Sequence, residues 1–159
     1  MAAAVAVVLA AGLGLSVPAV AETELPDNFK TRDGAYEEVV QDLKDAIVNR
    51  GFVIDHVGYV GKMLDRTSDA VGATSPYLHA QYMQFCSAKL THDLAAADPS
   101  NMEGCPYLVF AYEERAKPGT VILGYRKPPV GRSEASRAAI GAIEALLVDV
   151  VDQVAGGGF

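Results

Sequence analysis

The first 21 residues of the chain, MAAAVAVVLAAGLGLSVPAVA, contain no charged side chain and no histidine. Their apolar run is shorter than the roughly 20 residues that a membrane-spanning helix needs, because Gly12, Gly14 and Pro18 interrupt it. The tripeptide Ala-Val-Ala at 19–21 follows and gives the small-x-small pattern that signal peptidase recognises. We therefore expect a signal peptide over 1–21, export to the periplasm or the exterior, and no stable membrane insertion after cleavage.

This segment departs from ordinary signal peptides in one respect, since the basic residues that usually open one are missing. Met1 supplies only its α-amino group, so either the true start lies further upstream or the export signal is weak. An uncleaved anchor or a buried helix are the alternatives. Cleavage after Ala21 would leave 159 − 21 = 138 residues, the length of one ordinary domain.

Positive charge is scarce in the whole chain. Thirteen Lys and Arg stand against twenty Asp and Glu, which gives a net charge of −7 and a pI near 4.8. Because nucleic-acid phosphates need Lys and Arg partners, the composition argues against a nucleic-acid partner. The acidity is interpreted as a contribution to solubility.

Hydrophobic periodicity predicts the element order β-α-β-β-α-β-β-α. The expected strands are one near Phe29 and those at 52–60, 77–86, 107–112 and 120–125, and the expected helices are 35–50, 88–97 and 134–154. Over residues 61–76 we expect only a short helical turn and a loop. Asp33, Ser87 and Ser133 are the expected helix caps. The order, with its hairpin, predicts an α+β fold: a mixed, mainly antiparallel sheet with helices packed on it.

The last predicted helix is unusually apolar. Its apolar residues follow a 3-4-3-4 spacing, at Ile140, Ile143, Leu147, Val150 and Val154. Such a face must cover a sheet or meet a partner helix. We expect it to cover the sheet of its own domain, with a dimer contact as the alternative. The core domain is then residues 22–131, and residues 132–159 form this helix and a Gly-rich tail.

Cysteine occurs only twice, at Cys86 and Cys105. Cys86 falls where a predicted strand ends and a helix begins, and a helix amino terminus stabilises a thiolate. Lys89, one turn further on, acts in the same direction. Cys86, Tyr82 and Lys89 are therefore the candidate ligand-binding residues. The alternative is that Cys86 is a buried, unreactive cysteine.

In an oxidising compartment, Cys86 and Cys105 can also form a disulfide that stabilises the fold by about 3 kcal/mol. Such a bond requires both residues at the same end of their strands, as they are if the strands are antiparallel but not if they are parallel. The sequence leaves this direction open. We favour free thiols, with the disulfide as the alternative.

The three histidines are His56, His79 and His92. No pair has the i, i+4 spacing of a zinc-binding helix, and the chain has no C-x-x-C-H for covalent haem attachment. His79 and Met83 share one face of a strand and, with His56, form a possible ligand set, which makes haem or copper the candidate cofactor. Ordinary strand histidines are the alternative. His92 is expected to point away from Cys86.

Catalytic motifs are absent too: there is no G-x-S-x-G, no Walker loop, no Gly-rich dinucleotide turn and no paired-carboxylate motif. Because no complete catalytic set is present, we expect a binding or accessory module rather than an enzyme. That module would hold a small ligand or a periplasmic redox partner near Cys86. The alternatives are a thiol-based redox or metal- or haem-binding protein, and a structural interaction protein without a ligand.

Over residues 30–130 the layout resembles the family called domain of unknown function 302. The resemblance is carried by Asn49-Arg50-Gly51-Phe52 at a helix end, Phe85-Cys86 at a strand end and Cys105-Pro106 before a hairpin. It implies a small α+β protein that forms homodimers, and it implies no reaction. Some members of that family occur beside redox proteins. The chain has Ser87-Ala88 where the family often has Asn-Pro, which keeps the helix cap but removes support for shared loop chemistry.

Overall fold

The computed structural model describes residues 24–157, so the predicted signal peptide lies outside the described residues. The described elements are β1 (Phe29–Asp33), α1 (Tyr36–Val48), β2 (Ile54–Gly58), α2 (Val60–Val71), β3 (Tyr77–Phe85), α3 (Ala88–Ala97), a 3-10 helix (Pro99–Gly104), β4 (Tyr107–Glu114), β5 (Thr120–Tyr125) and α4 (Glu134–Ala155). None of the helices in this range is long and apolar enough to cross a membrane.

The strands form one five-stranded sheet in the order β1-β5-β4-β3-β2. Every neighbouring pair in it is antiparallel, and the pair β4–β5 is the predicted hairpin. The predicted α+β fold is therefore confirmed, although the sheet is antiparallel throughout rather than mixed.

Helices α1 and α4 pack on one face of this sheet and against each other. The apolar stripe of α4 is almost wholly buried there, so this helix covers the sheet of its own domain. Ser133 caps α4 as expected, because its Oγ accepts a hydrogen bond from the backbone N–H of Ser136 at 3.1 Å. Asp33 does not cap α1. It belongs to β1, where its carboxylate instead accepts a hydrogen bond from Thr120 Oγ1 at 2.9 Å.

The stretch where we expected a short turn and a loop forms the twelve-residue helix α2. Gly61 is the only buried residue of α2, so this helix buries no apolar stripe, although Val60, Met63 and Leu64 follow helical spacing. A Cβ on Gly61 would lie 2.9 Å from the backbone nitrogen of Ala80. The missing side chain thus lets α2 approach β3 closely beside the point where β2 stops pairing with it.

Candidate functional site

Cys86 and Cys105 are joined by a disulfide bond, with their Cα atoms 5.9 Å apart. The expectation of free thiols is therefore wrong. The reason is strand direction: β3 and β4 are antiparallel, with Phe85 opposite Tyr107. Cys86, just after β3, and Cys105, just before β4, thus lie at the same end of the sheet. In this oxidised state Cys86 has no thiol to ionise.

A groove of about 730 Å³ runs between the start of β2 and helix α3, and Cys86 lines it. We call it the cysteine groove. One wall is the start of β2 and the residues just before it, with Phe52, Val53 and Asp55. The opposite wall is a single face of α3, formed by residues at i, i+3, i+4 and i+7. These residues are Ala88, Thr91, His92 and Ala95.

The β2 wall of the cysteine groove is held by the core beneath it. The Phe52 ring stacks on the buried ring of Phe85, with centroids 5.6 Å apart. Gly51, with a φ of +83°, reverses the chain between α1 and this wall. Val53 remains 73% exposed beside Phe52, so an apolar surface faces the open groove.

The α3 wall is fixed at its amino terminus by the predicted cap. Ser87 Oγ accepts a hydrogen bond from the backbone N–H of Leu90 at 3.4 Å, and Ser87 itself is buried. Thr91 Oγ1 lies 3.3 Å from the hydroxyl of Tyr107. The disulfide ties the residue before this cap to the strand that follows, so the start of α3 is restrained on both sides.

The charged side chains of the cysteine groove and His92 lie at its rim. The ammonium of Lys89 pairs with Asp93 at 2.7 Å, and the Lys89 side chain is 81% exposed. The side chains of Asp55 and His92 are exposed as well. The groove therefore offers a ligand a mainly apolar lining, a disulfide, and both hydrogen-bond donors and acceptors at the rim.

Cys86 and Lys89, two of the three predicted ligand-binding residues, come together in this groove. Tyr82 does not join them, because it lies on the sheet face opposite α1 and α4, with its ring 5.8 Å from that of His56. His92 was expected to point away and instead lines the groove. His92 is four residues after Ala88, and this spacing places both on the face of α3 that lines the groove. The spacing from Cys86, which precedes the helix, does not give that face. Asp55 gave no signal in the sequence.

The predicted metal ligands are not brought together. Met83 is 2% exposed within the core, and His79 stacks on Tyr36 on the same face of the sheet. His56 lies on the opposite face beside Tyr82. Residues 24–157 contain no group of three or more His, Cys, Asp or Glu placed to hold a metal ion. Because the sheet separates His56 from the other two, this set does not fit haem iron or copper.

His79 has a different neighbour, the buried carboxylate of Glu113, whose Oε2 lies 4.0 Å from His79 Nε2. Glu113 Oε1 accepts a hydrogen bond from the backbone N–H of Gly119 at 2.7 Å, in the turn between β4 and β5. Burial raises the pKa of the neighbouring Tyr36, whose hydroxyl donates to the Ala111 carbonyl. The Glu113 bond holds the turn of the β4–β5 hairpin, and the Tyr36 bond holds the start of α1 against β4.

The fold is similar to that of the uncharacterized conserved protein DUF302 from Bacillus stearothermophilus, known from a crystal structure. The TM-score is 0.65 and the sequence identity 18%, and the match covers 81% of this chain and 99% of that one. No family model and no curated protein matches the sequence. The likeness confirms the predicted resemblance to domain of unknown function 302 at the level of the fold, and it carries no ligand and no reaction.

Proposed function

We propose that the protein is an exported binding module whose small ligand lies in the cysteine groove, against the Cys86–Cys105 disulfide. The observation that carries this proposal is the groove itself. Its volume of about 730 Å³ lies within the roughly 300–1,000 Å³ typical of small-molecule sites. Its two walls are restrained by the disulfide, by the Ser87 cap and by the stacking of Phe52 on the core.

Export is supported by two features that are far apart in the sequence. One is the small-x-small pattern that ends at Ala21. The other is the disulfide, since such bonds form and persist in oxidising compartments such as the periplasm. Both features favour the periplasm or the exterior of the cell as its location.

The chemistry of the groove favours a ligand with an apolar body and few polar groups. A ligand that covers Val53, Phe52 and Ala95 would remove their apolar surface from water. Burial of apolar surface is the main source of affinity in such sites. Asp55 at the rim can accept a hydrogen bond from the ligand, and His92 can donate or accept one.

Indole, which has an apolar body and one N–H donor, is a suitable probe for titration followed by amide NMR. We expect shifts concentrated at Val53, Ala88 and His92. Ala95→Phe should fill the groove and weaken binding at least tenfold. Ala142→Phe is the matched control, because Ala142 is also an exposed alanine in a helix and lies on α4. Equal binding to both variants, or shifts scattered over the surface, would refute the groove as the ligand site.

A second candidate function, thiol–disulfide exchange with a partner protein, is favoured by an asymmetry between the two cysteines. Cys86 lines the groove, whereas Cys105 packs against the core. A partner thiolate would attack Cys86 Sγ, form a mixed disulfide and release Cys105 as a thiolate. A second partner thiol would then displace Cys86, leaving the partner oxidised and both cysteines reduced. The amino terminus of α3 favours the Cys86 thiolate so released.

Two single-cysteine variants test this exchange. Cys105→Ala leaves Cys86 free, and Cys86→Ala leaves Cys105 free as the matched control. If exchange is the function, Cys86 should react with glutathione disulfide at least ten times faster than Cys105 at neutral pH. Equal rates, together with a wild-type disulfide that resists millimolar dithiothreitol while the protein stays folded, would assign the bond a purely structural role.

A further inference from the structure

A row of residues crosses all five strands on the sheet face opposite α1 and α4. In register from one edge to the other, the row is Phe29, Gly124, Phe110, Tyr82 and Gly58. Three aromatic side chains thus share one line with two glycines.

Each glycine of this row lies beneath the ring of a neighbour. A Cβ built on Gly58 would overlap the ring of Tyr82, and one built on Gly124 would lie 2.7 Å from Cζ of Phe110. The rings of Tyr82 and Phe110 therefore lie over the backbone of the adjacent strand instead of standing away from the sheet. The result is an aromatic surface on this face of the sheet, with the Phe29 ring edge-on to that of Phe110.

Further rings extend this surface along β4. The ring of Phe110 lies 4.8 Å from that of Phe29 and 6.4 Å from that of Tyr112, and Tyr112 lies 5.2 Å from Tyr77. Together with Tyr82, these rings line a groove of about 410 Å³ that also includes Gln84, Leu108 and Arg126. We call it the aromatic groove. It is separate from the cysteine groove and shares no lining residue with it.

Arg126 is the one charged residue among those that line the aromatic groove in the described part of the chain. Its backbone N–H donates to the Leu108 carbonyl at 2.8 Å, which places it at the Leu108 end of the groove. Arg32, Arg50 and Arg115 each pair with an aspartate. The Arg126 guanidinium, like that of Arg137, has no carboxylate partner among residues 24–157 and is free to pair with a ligand.

The groove has the length of a small ligand. Leu108 and Tyr112 are four residues apart on β4, a distance of about 13 Å at the rise of an antiparallel strand. The Leu108 end carries the guanidinium of Arg126 and the amide of Gln84, and the other end carries Tyr77 and Tyr112. An occupant that satisfies both ends has an anionic head and a flat apolar body.

We propose that the aromatic groove binds an aromatic carboxylate. The planar guanidinium of Arg126 matches a carboxylate with two parallel hydrogen bonds. The ring of the ligand stacks on the faces of Tyr82 and Phe110, an arrangement that aromatic pairs favour beyond the burial of area. Because the rings present both faces and edges, a ligand ring can make stacked and edge-to-face contacts with them, and it loses less conformational freedom than a flexible alkyl chain does.

Naphthalene-2-carboxylate is the probe for this site, followed by isothermal titration calorimetry. Its uncharged counterpart naphthalene-2-carboxamide and the aliphatic decanoate should both bind at least about tenfold more weakly. Arg126→Gln should weaken binding of the carboxylate by at least about tenfold, since a charge-assisted pair is lost. The affinity for the carboxamide should be unchanged. Arg137→Gln, at an exposed arginine of α4, is the matched control and should have no effect.

Three results would overturn the proposal. One is equal affinity of the carboxylate for wild type and Arg126→Gln. Another is decanoate binding as tightly as the naphthalene compound, which would remove the aromatic requirement. The third is a wild-type dimer that ignores the probe and becomes monomeric in Phe110→Asp, because that outcome assigns the face to a second copy of the chain.

Discussion

Among single residues, Cys86 and Cys105 make the strongest constraint on the chain. Their bond spans a sequence separation of 19 that contains α3 and the 3-10 helix. Because it restricts the unfolded chain, reducing it should lower the free energy of unfolding by roughly 3 kcal/mol. Urea denaturation with and without dithiothreitol measures this difference. The double variant Cys86→Ala, Cys105→Ala should be insensitive to the reductant.

The two glycines under the aromatic rings should differ in their tolerance of a methyl group. At Gly124 a Cβ would lie 2.6 Å from the backbone oxygen of Asn28 as well as against Phe110. Gly124→Ala should therefore cost about 1–3 kcal/mol of stability, as overpacking generally does. Gly58→Ala should cost less, because the three nearest atoms to its Cβ all belong to the outer end of the Tyr82 side chain, which can turn aside. Equal urea midpoints for the two variants would contradict this account of the open face.

Local features of single residues were predictable from sequence, and distant pairings were not. Ser87 and Ser133 cap their helices through amides three residues away, so the signal lies within one turn. Asp33 does not cap α1, because β1 extends to Asp33 and the N-cap position falls on Ala35. Its carboxylate instead binds Thr120, which is 87 residues away in the chain. Cys86 was identified correctly as lying beside a helix start, but its bond to Cys105 depends on strand direction, which no local pattern encodes.

Among the elements, helix α4 contains a glycine, Gly141, where the structure does not require one. Gly141 lies in the interior of this 22-residue helix, is exposed, and has no atom within 4 Å of a Cβ built on it. Gly141→Ala should therefore raise stability by about 0.5–1 kcal/mol through lower chain entropy and better helix propensity. Thermal unfolding measures the gain. A loss instead would show that another surface packs on this side of α4 in solution.

The elements that the sequence predicts well are those that bury a continuous stripe. Helices α1 and α4 show it in their spacing, and both pack on the sheet as expected. Helix α2 buries no such stripe, and its close contact with β3 depends on the absence of a side chain at Gly61. The only sign of such a close approach in the sequence is a glycine, and glycine is equally typical of a loop.

For the molecule as a whole, buried and half-buried tyrosines predict a loss of stability in alkali. Burial raises the pKa of Tyr36 and Tyr112, and burial with the Glu144 carboxylate nearby raises the pKa of Tyr125 to about 12. An unfolded tyrosine ionises near its ordinary value of 10.0. Above that pH the folded state retains more protons, so the free energy of unfolding falls as pH rises from 10 towards 12.

Absorbance at 295 nm during alkaline titration, combined with urea denaturation at pH 9, 10 and 11, checks this expectation. Some of the seven tyrosines should ionise only well above pH 10 in the folded protein. Tyr36→Phe should reduce the slope of stability against pH. If every tyrosine ionised at its ordinary value while the protein stayed folded, the tyrosines would not be the cause.

At the same scale, the candidate site shows what residue patterns leave open. Alternation along β3 correctly places His79 and Met83 on one face and Tyr82 on the other. It does not say which face the helices cover, so Met83 was considered a ligand although it belongs to the core. The cysteine groove was predictable only through Cys86 and Lys89. Its β2 wall comes from a segment more than thirty residues earlier in the chain.

Both functions proposed for the cysteine groove depend on the bond between Cys86 and Cys105. The most direct measurement is a thiol count on protein exported to the periplasm, unfolded without reductant and treated with Ellman's reagent, followed by mass spectrometry of its peptides. The account predicts no free thiol and one peptide pair linked through Cys86 and Cys105. Two free thiols per chain would contradict it.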